Sequence, residues 1–247
     1  MFKIRCSSIG KIMGKPRSKV DKELGLLSKD AQSVVIEQIA KDLYNYREEI
    51  SSKYLTKGNR NESEAILLLS RVLGEFTLFK NSERFEDDYM SGEPDIITKD
   101  SIIDIKNSYN GKTFTKVALQ DDLDNKMYYY QLQGYMHLLK KKKGFIAYCL
   151  TNCDDDLIQR EINNNIYNLN HSIKSISDED YTMIEERVKS TLTYDDIDDE
   201  AKVKIFEVDY DPKVIEEIQE RVEKCREFYN ENVKKLINNK IKNEVTR

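Results

Sequence analysis

The 247-residue chain is poor in several residue types, and each shortage narrows what the protein can be. Two histidines, His137 and His171, are too few for a histidine-rich zinc site. Nine glycines and three prolines form neither a glycine–serine linker nor an internal repeat, so we expect one domain. No apolar run approaches about 18 residues, and the N-terminus lacks the apolar centre of a secretory signal. We therefore expect a cytosolic protein that neither crosses a membrane nor is exported.

Cysteine is also scarce, and its spacing matches no familiar framework. Cys6, Cys149, Cys153 and Cys225 include one C-x3-C pair, which is neither a zinc CxxC pair nor part of a convincing disulfide pattern. We expect reduced structural thiols. An iron–sulfur cluster held by all four residues is the open alternative, although the spacing is wrong for the known cluster motifs.

The net charge of −5 argues against a polyanionic partner, but the charge is unevenly distributed. Residues 1–60 hold 13 Lys and Arg against 7 Asp and Glu, a net of +6, whereas residues 152–200 hold 4 against 14, a net of −10. A basic face can bind nucleic acid while an acidic region elsewhere keeps the total negative. Nucleic acid therefore stays among the candidate partners.

Hydrophobic periodicity predicts both helices and strands. We expect helices at 7–14, at about 29–54, from near Asn59, at 126–140 and from Pro212 onward, and strands at 76–85, in a hairpin at 94–106, at 144–150 and at 202–209. The fold class is α/β or α+β, with a central mixed sheet flanked by helices and a long C-terminal helix. We expect a single domain over 1–247, with its core at about 1–150 and 202–247 and an acidic insertion at 152–200.

The hairpin places two acids together. Isoleucine-rich runs at 96–97 and 102–105 flank the polar turn 98–101, so residue 97 should pair with 102, and 96 with 103. Asp95 then lies opposite Asp104, with Cβ atoms about 4.5–5.5 Å apart. Side chains alternate along a strand, so Lys106 shares a face with Asp104 while Ile103 and Ile105 point the other way.

Two opposed carboxylates repel each other unless a cation lies between them. Few hard oxygen ligands suit Mg²⁺ or Mn²⁺, which keep several waters. The open alternative is a surface hairpin that carries scattered charges.

A helix that begins near Asn59 carries one acid on its apolar face. Glu62 precedes Ile66, Leu69 and Leu73 by four, seven and eleven positions, so all four residues share one side. Because a buried carboxylate is costly, it needs a partner. Metal ligation is one interpretation, and an acid favoured by the dipole at a helix N-terminus is the other.

Two glutamines lie in an otherwise apolar helix, MYYYQLQGYMHLL. Gln131 and Tyr135 are four residues apart and share one side. Gln131 and Gln133 both call for hydrogen-bond partners, for which a phosphate or an ordered water near a metal would serve. Tyrosine-rich helices more often form a core or an interface.

Taken in order, these motifs resemble one family. They are G-x3-E-x2-A (Gly58, Glu62, Ala65), G-x-P-D (Gly92, Pro94, Asp95), D-x-K (Asp104, Lys106) and Q-x-Q-x-x-M (Gln131, Gln133, Met136). The order resembles the PD-(D/E)xK nucleases, and most closely the phage λ exonuclease and YqaJ-type viral recombination nucleases. The segment CSSIGKIMGKPRSK is similar to the serine and K-P-R-S segment of that family.

The resemblance implies a restriction-endonuclease-like core and a Mg²⁺-dependent exonuclease, with Mn²⁺ as a substitute. Its substrate would be linear double-stranded DNA, digested 5′ to 3′ to leave 3′ single strands for an annealing protein in phage-type recombination. A homotrimer is also implied, and a bacterial host cell as the compartment of a phage or prophage protein. The helix after Pro212 supplies either a subunit interface or a contact within the chain.

The resemblance also assigns roles to residues. Asp95, Asp104 and the carbonyl of Ile105 would bind the metal, with Glu62 on a second ion or a water, and Lys106 would orient the attacking water. The further expected site residues are Gln131 and Gln133 for substrate or water, and Ser7, Arg17, Arg5, Lys15 and Tyr135 for DNA and the 5′-phosphate. The λ-type enzyme has Glu where this chain has Asp104, and its arginine ahead of the serine segment has no counterpart at matching spacing, although Arg5 would substitute.

Two alternatives remain. One is another nuclease of the same superfamily, an endonuclease or a CRISPR-associated end-processing enzyme. The other is a noncatalytic DNA-binding protein that keeps the fold. With His137 and His171 alone, histidine-based nuclease chemistry is not expected.

Overall fold

The structure, a computed structural model, describes residues 1–46, 53–75, 78–169 and 176–245, without the side chains of 53–55, 59 and 239–245. His171 lies outside the described residues. The described part contains two small sheets with helices packed around them. The strands are β1 (Ile4–Arg5), β2 (Phe85–Glu86), β3 (Met90–Gly92), β4 (Ile96–Ile97), β5 (Ser101–Asn107), β6 (Lys143–Cys149) and β7 (Val203–Asp209).

The helices alternate with these strands. They are α1 (Ile9–Ile12), α2 (Lys19–Glu23), α3 (Lys29–Tyr44), α4 (Lys53–Arg60), α5 (Glu62–Leu73), α6 (Gly111–Ala118), α7 (Lys126–Leu139), α8 (Asp155–Asn168), α9 (Asp178–Leu192) and α10 (Pro212–Val245). Short 3₁₀ turns at Cys6–Ser8 and Asp199–Lys202 precede α1 and β7.

The larger sheet has the strand order β4-β5-β6-β7, and the smaller has β1-β3-β2. Strand β5 runs parallel to β6, whereas β4 and β7 run antiparallel to their neighbours, so the sheet is mixed. The predicted hairpin register is confirmed, since residue 96 pairs with 103 and 97 with 102. In its turn the hydroxyl of Thr98 accepts a bond from the amide of Ser101 at 2.9 Å.

Helices cover both faces of β5. Ile103 and Ile105 pack with Ala65 and Leu69 of α5, while Ile102, on the opposite face, belongs to the core that α7 and α10 share. The hairpin is therefore a core element, and the surface-hairpin alternative is wrong. The predicted fold class is confirmed: a mixed sheet, flanking helices and a long C-terminal helix.

Three predicted helices have different bounds. Residues 7–14 form a 3₁₀ turn followed by α1. The helix predicted at 29–54 ends at Tyr44, because Asn45 adopts the left-handed conformation that terminates helices; residues 47–52 lie outside the described part. The helix expected from near Asn59 begins at Glu62, after a break at Asn61 that separates it from α4.

The strand predicted at 76–85 is wrong where the structure describes it. Lys80 forms an isolated bridge with Ile96, and strand structure begins only at Phe85. Asn81 explains the difference, because its side chain accepts a hydrogen bond from the amide of Glu83 and donates one to the carbonyl of Glu83. Such a local turn competes with strand pairing. Residues 76 and 77 are outside the described part.

The acidic region forms a helical pair. Helices α8 and α9 enclose a separate apolar cluster that also includes Tyr109 and Cys153. Both ends of the pair meet, because the amide of Cys153 donates to the carbonyl of Leu192 at 2.9 Å. An insertion at 152–200 and a single domain over 1–247 both stay predictions.

The four cysteines are buried free thiols. They are distributed over three hydrophobic clusters: Cys6 and Cys225 in one, Cys149 in a second and Cys153 in the third. This distribution does not allow a four-cysteine iron–sulfur cluster. No helix of the described residues is long and apolar enough to span a membrane.

Candidate active site

The hairpin and α7 place two carboxylates and a lysine at one cavity of about 600 Å³. Asp104, only 1% exposed, accepts a hydrogen bond at Oδ1 from Gln131 Nε2 at 3.1 Å. Lys106 Nζ lies 2.5 Å from Asp104 Oδ2. Among the described residues, Asp104 Oδ2 has this ion pair and no further hydrogen-bond donor. Asp95 Oδ2 accepts from the Ile105 amide at 2.6 Å.

Burial makes this charge arrangement costly. The pKa of Asp95 is raised to about 7, mainly by burial and next by the charge of Asp104. Burial lowers the pKa of Lys106, but the contact with Asp104 and the charge of Asp95 outweigh it and leave that pKa above the usual value. The ammonium also lies over the ring of Tyr128, 4.7 Å from its centroid. Lys106 is therefore a charged group held in place.

Gln131 connects the acids to α7. Its Nε2 also donates to the hydroxyl of Tyr135 at 3.0 Å, and both side chains are buried. Tyr135 in turn packs on Gly92, where a Cβ would lie 2.5 Å from the tyrosine ring. This contact accounts for the glycine of the G-x-P-D motif, because a larger residue would displace Tyr135.

Glu62 reaches the same cavity from another element. It is the first residue of α5, half-buried, and forms an ion pair with Lys80. It is a helix-terminal acid that also lines the cavity, and its role as a metal ligand stays a prediction.

The structure brings together eight of the expected site residues and separates the others. Lining the cavity are Ser7, Glu62, Asp95, Asp104, Ile105, Lys106, Gln131 and Tyr135. Arg5, Lys15 and Arg17 are exposed residues that do not line it, and Lys15 lines a different cleft.

The geometry counts against the catalytic role expected for Gln133. Its side chain is fully buried, donates to the carbonyl of Asp209 at 2.7 Å and accepts from the amide of Asp211 at 2.9 Å. Because side chains two positions apart on a helix point in different directions, Gln133 faces the turn before α10 and not the cavity.

One neighbouring residue was not foreseen. Lys57 is fully buried, and its ammonium donates to the carbonyls of Ser108, Tyr109 and Thr151 at 2.9, 3.0 and 2.6 Å. It thus joins the ends of β5 and β6 beside the cavity. Burial lowers its pKa. Tyr128 was also missed, although its position three residues before Gln131 places it on the same helix face.

No family model matches this chain, and no curated protein matches it in sequence. Solved structures are similar over nearly its whole length. A phage-related exonuclease from Haemophilus somnus 129PT has a TM-score of 0.72 and 29% sequence identity, covering 95% of this chain and 96% of that one. The chain has the fold of the phage-related exonucleases. The resemblance predicted from the motif order is thereby confirmed.

An alkaline exonuclease from Laribacter hongkongensis shares the fold at lower identity. Its TM-score is 0.63, with 14% identity over 97% of this chain and 94% of that one. The same exonuclease in complex with dAMP gives 0.60 and 16% over the same shares. These two likenesses show the fold alone, and the phage-related exonuclease at 29% identity is the one that supports a nuclease.

The site residues fit a divalent ion in part. Within the described residues, no three side chains of His, Cys, Asp or Glu lie close enough together to hold a metal. Asp95, partly buried, and Asp104, fully buried, nevertheless both line the cavity, and Asp104 Oδ2 has no partner besides Lys106 among the described residues. In an extended strand the N–H and C=O of one residue point the same way, so the carbonyl of Ile105 faces the side of Asp95. Two carboxylates, a carbonyl and waters suit Mg²⁺ or Mn²⁺.

Proposed function

We propose that this protein is a divalent-metal-dependent exonuclease that digests linear double-stranded DNA from 5′ to 3′. One observation carries the proposal: Asp104, fully buried, and Asp95, partly buried, line one open cavity, and Lys106 forms an ion pair with Asp104 there. The similarity to a phage-related exonuclease over 95% of the chain supports the same activity. Mg²⁺ is the proposed ion, and Mn²⁺ should replace it.

The chain's own residues have separate roles in this proposal. Asp95, Asp104 and the carbonyl of Ile105 would hold the ion, which when bound supplies positive charge at the phosphate and lowers the pKa of the attacking water. Lys106 stays protonated, so it orients the water and stabilises developing charge, and it does not act as a general base. Gln131 fixes the carboxylate of Asp104. Glu62 would join through a second ion or a water once it releases Lys80.

The DNA end would lie where α7 meets the 3₁₀ turn at Cys6–Ser8. Ser7 and Tyr135 line the cavity, so we assign them to the terminal nucleotide and its 5′-phosphate. Arg17 and Arg5 lie outside the cavity and would contact the duplex farther from its end. The 3′ single strand would pass to an annealing protein in phage-type recombination, in the cytoplasm of a bacterial host, and the enzyme would act as a homotrimer.

Digestion of end-labelled linear DNA with Mg²⁺ or with chelator tests the activity, the metal requirement and the direction together. Asp95→Asn should abolish digestion while it preserves side-chain shape and DNA binding. Asp100→Asn, the same change at an exposed aspartate in the hairpin turn, should leave activity unchanged. Wild-type activity of Asp95→Asn would refute the site.

A covalently closed circular plasmid separates the proposed exonuclease from an endonuclease with the same site. The wild-type protein should leave the circle intact and should digest it after linearisation. Cleavage of the closed circle would show that the protein is an endonuclease that cuts within the DNA, and not an exonuclease that needs an end. Absence of digestion for every DNA, with DNA binding retained, would favour a noncatalytic DNA-binding protein.

A further inference from the structure

A second cleft lies beside the candidate active site. Tyr128 and Gln131 of α7 line the active-site cavity, whereas Lys126 and Tyr130 of the same helix line this cleft. The cleft runs between the segment that follows α1 and the first half of α10. It consists of two adjoining cavities of about 650 and 350 Å³. Its basic cleft residues are Lys15, Lys22, Lys126, Arg221 and Lys224.

The cations of the basic cleft lack acidic partners. Glu217 and Glu220 line the same cleft, yet none of its five basic residues forms an ion pair within the described parts of the chain. Elsewhere basic residues commonly have such partners, as Arg60 has in Asp154 and Arg71 in Asp199. Five cations against two acids leave an excess of positive charge in a chain of net charge −5. An anionic ligand would remove this repulsion.

Backbone contacts hold the walls of the cleft in place. Gly10 packs so closely on α7 that a Cβ would lie 2.7 Å from Met127 Cα. Across the cleft, the ammonium of Lys224 donates to the carbonyl of Gly25 at 3.4 Å, and Gly25 has the left-handed φ of +65° that only glycine adopts easily. A ligand would therefore meet walls that are already ordered, which lowers the entropic cost of binding.

The cleft also offers one aromatic surface. Tyr130 is half-buried in its lining, with its ring edge-on to Tyr129 at 5.6 Å between centroids. A groove of cations with an aromatic side chain for base stacking is the arrangement that binds single-stranded nucleic acid. Cavities of this size also suit one extended strand and not the full width of a duplex.

We propose that the basic cleft binds a single DNA strand, with its phosphates on Lys126, Arg221 and Lys224 and a base stacked on Tyr130. The choice of DNA as the polyanion rests on the proposed nuclease function, whereas the charge and shape of the cleft do not. The strand would thus contact α7 on both sides, at the active site and at the cleft.

Fluorescence anisotropy with a labelled oligothymidylate tests the proposal. The Asp95→Asn protein in chelator serves as the background, so that no strand is digested. Each phosphate contact on a single strand contributes about 0.7 to the slope of log affinity against log salt. Arg221→Gln with Lys224→Gln should therefore weaken binding about 25-fold at 0.1 M salt and reduce the slope by about 1.4.

The same helix offers a matched control. Lys234→Gln with Lys235→Gln removes the same charge from exposed positions about 18 Å farther along α10, since a helix rises about 1.5 Å per residue. This control should leave binding nearly unchanged. Tyr130→Leu should weaken binding at least about fivefold, and Tyr130→Phe should retain it, because stacking needs the ring and not the hydroxyl. Circular dichroism checks that each variant is folded.

The outcomes separate this proposal from the nuclease assignment. The proposed role of the cleft would be overturned if the cleft and control variants lost equal affinity for the single strand, or if the wild type did not bind it at all. Unchanged binding together with a changed mass in light scattering would also overturn it, and would make the cleft a contact between subunits. If the cleft variants lose single-strand binding although the wild type digests no DNA, the cleft stands and the proposed nuclease function fails.

Discussion

Asp95 shows how a single residue couples folding to function. Its carboxylate accepts a hydrogen bond from the Ile105 amide, yet burial and Asp104 keep its pKa near 7. Lys106 offsets one negative charge of the pair, and a second remains when both acids are ionised. Such a site lowers the free energy of unfolding when no cation is bound. Binding of a metal removes this cost, so it can be measured as a gain in stability.

The pKa of Asp95 predicts how the metal-free protein depends on pH. Between its ordinary 3.8 and about 7, the native state holds a proton that the unfolded chain has released. The free energy of unfolding contributed by this group therefore falls as the pH rises through that window, and it is level above pH 7. Thermal unfolding in chelator from pH 5 to pH 8 should show this fall in the wild type and in Asp100→Asn, but not in Asp95→Asn. Mn²⁺ should raise the melting temperature more at pH 8 than at pH 6, and an equal rise at both would contradict the assignment.

Lys57 shows what residue-level reading of the sequence cannot find. A lysine in a short polar helix normally faces water, and nothing in its neighbours indicates three backbone carbonyls around its ammonium. Those carbonyls belong to residues 108, 109 and 151, which come together only because β5 and β6 are adjacent and parallel. The acids were easier to predict, since the hairpin that joins them is local in sequence.

At the scale of elements, regular hydrophobic patterns gave the correct predictions, and hydrogen bonds of single side chains caused the errors. The register of β4 and β5 followed from a two-residue period around a polar turn, and the bounds of α7 and β6 followed from long apolar patterns. The strand expected at 76–85 failed because Asn81 uses its side chain to form a turn. The geometry counts against Gln133 for a tertiary reason, since its partners lie at the end of β7 and in the turn after it.

The packing of β3 against α7 gives a prediction for the G-x-P-D motif. Gly92→Ala should push Tyr135 away, because its Cβ would lie 2.5 Å from the ring and 2.8 Å from Cys6 Sγ. Tyr135 contacts Gln131, which holds Asp104, so digestion of linear DNA should fall at least tenfold while the protein stays folded. A destabilisation of about 1–3 kcal/mol is expected from overpacking.

Gly58→Ala is the matched control for the loss of stability, because no atom outside its own stretch of helix backbone lies within 4 Å of a Cβ added there. Gly58 lies inside α4, so the alanine should raise stability by about 0.5–1 kcal/mol. A melting temperature of Gly92→Ala that stays unchanged, or rises as that of Gly58→Ala should, would show that Tyr135 yields freely and that Gly92 has another purpose.

At the scale of the whole molecule, the acidic stretch of the sequence coincides with the helical pair α8–α9. The helical pair α8–α9 encloses its own apolar cluster, and its two ends are bridged by hydrogen bonds between Cys153 and Leu192 and between Asn152 and Tyr194. Residues 155–192 carry 8 Asp and Glu against 4 Lys and Arg. An element with adjoining ends and its own cluster has the properties of a unit inserted into a surface loop.

Replacement of residues 155–192 by a short glycine–serine linker should therefore leave a folded core. We expect one cooperative unfolding transition at a lower temperature, because Tyr109 and Cys153 lose their apolar cover, and we expect digestion of linear DNA to continue. Loss of four net negative charges should tighten DNA binding at low salt, with the difference disappearing at high salt. A full-length variant with Asp155→Asn, Asp178→Asn, Glu179→Gln and Glu186→Gln removes the same net charge without the deletion, so equal DNA binding by the two proteins would assign the effect to charge. A deletion protein without a cooperative transition would show instead that α8 and α9 belong to the core, and that the predicted boundary at 152–200 is wrong.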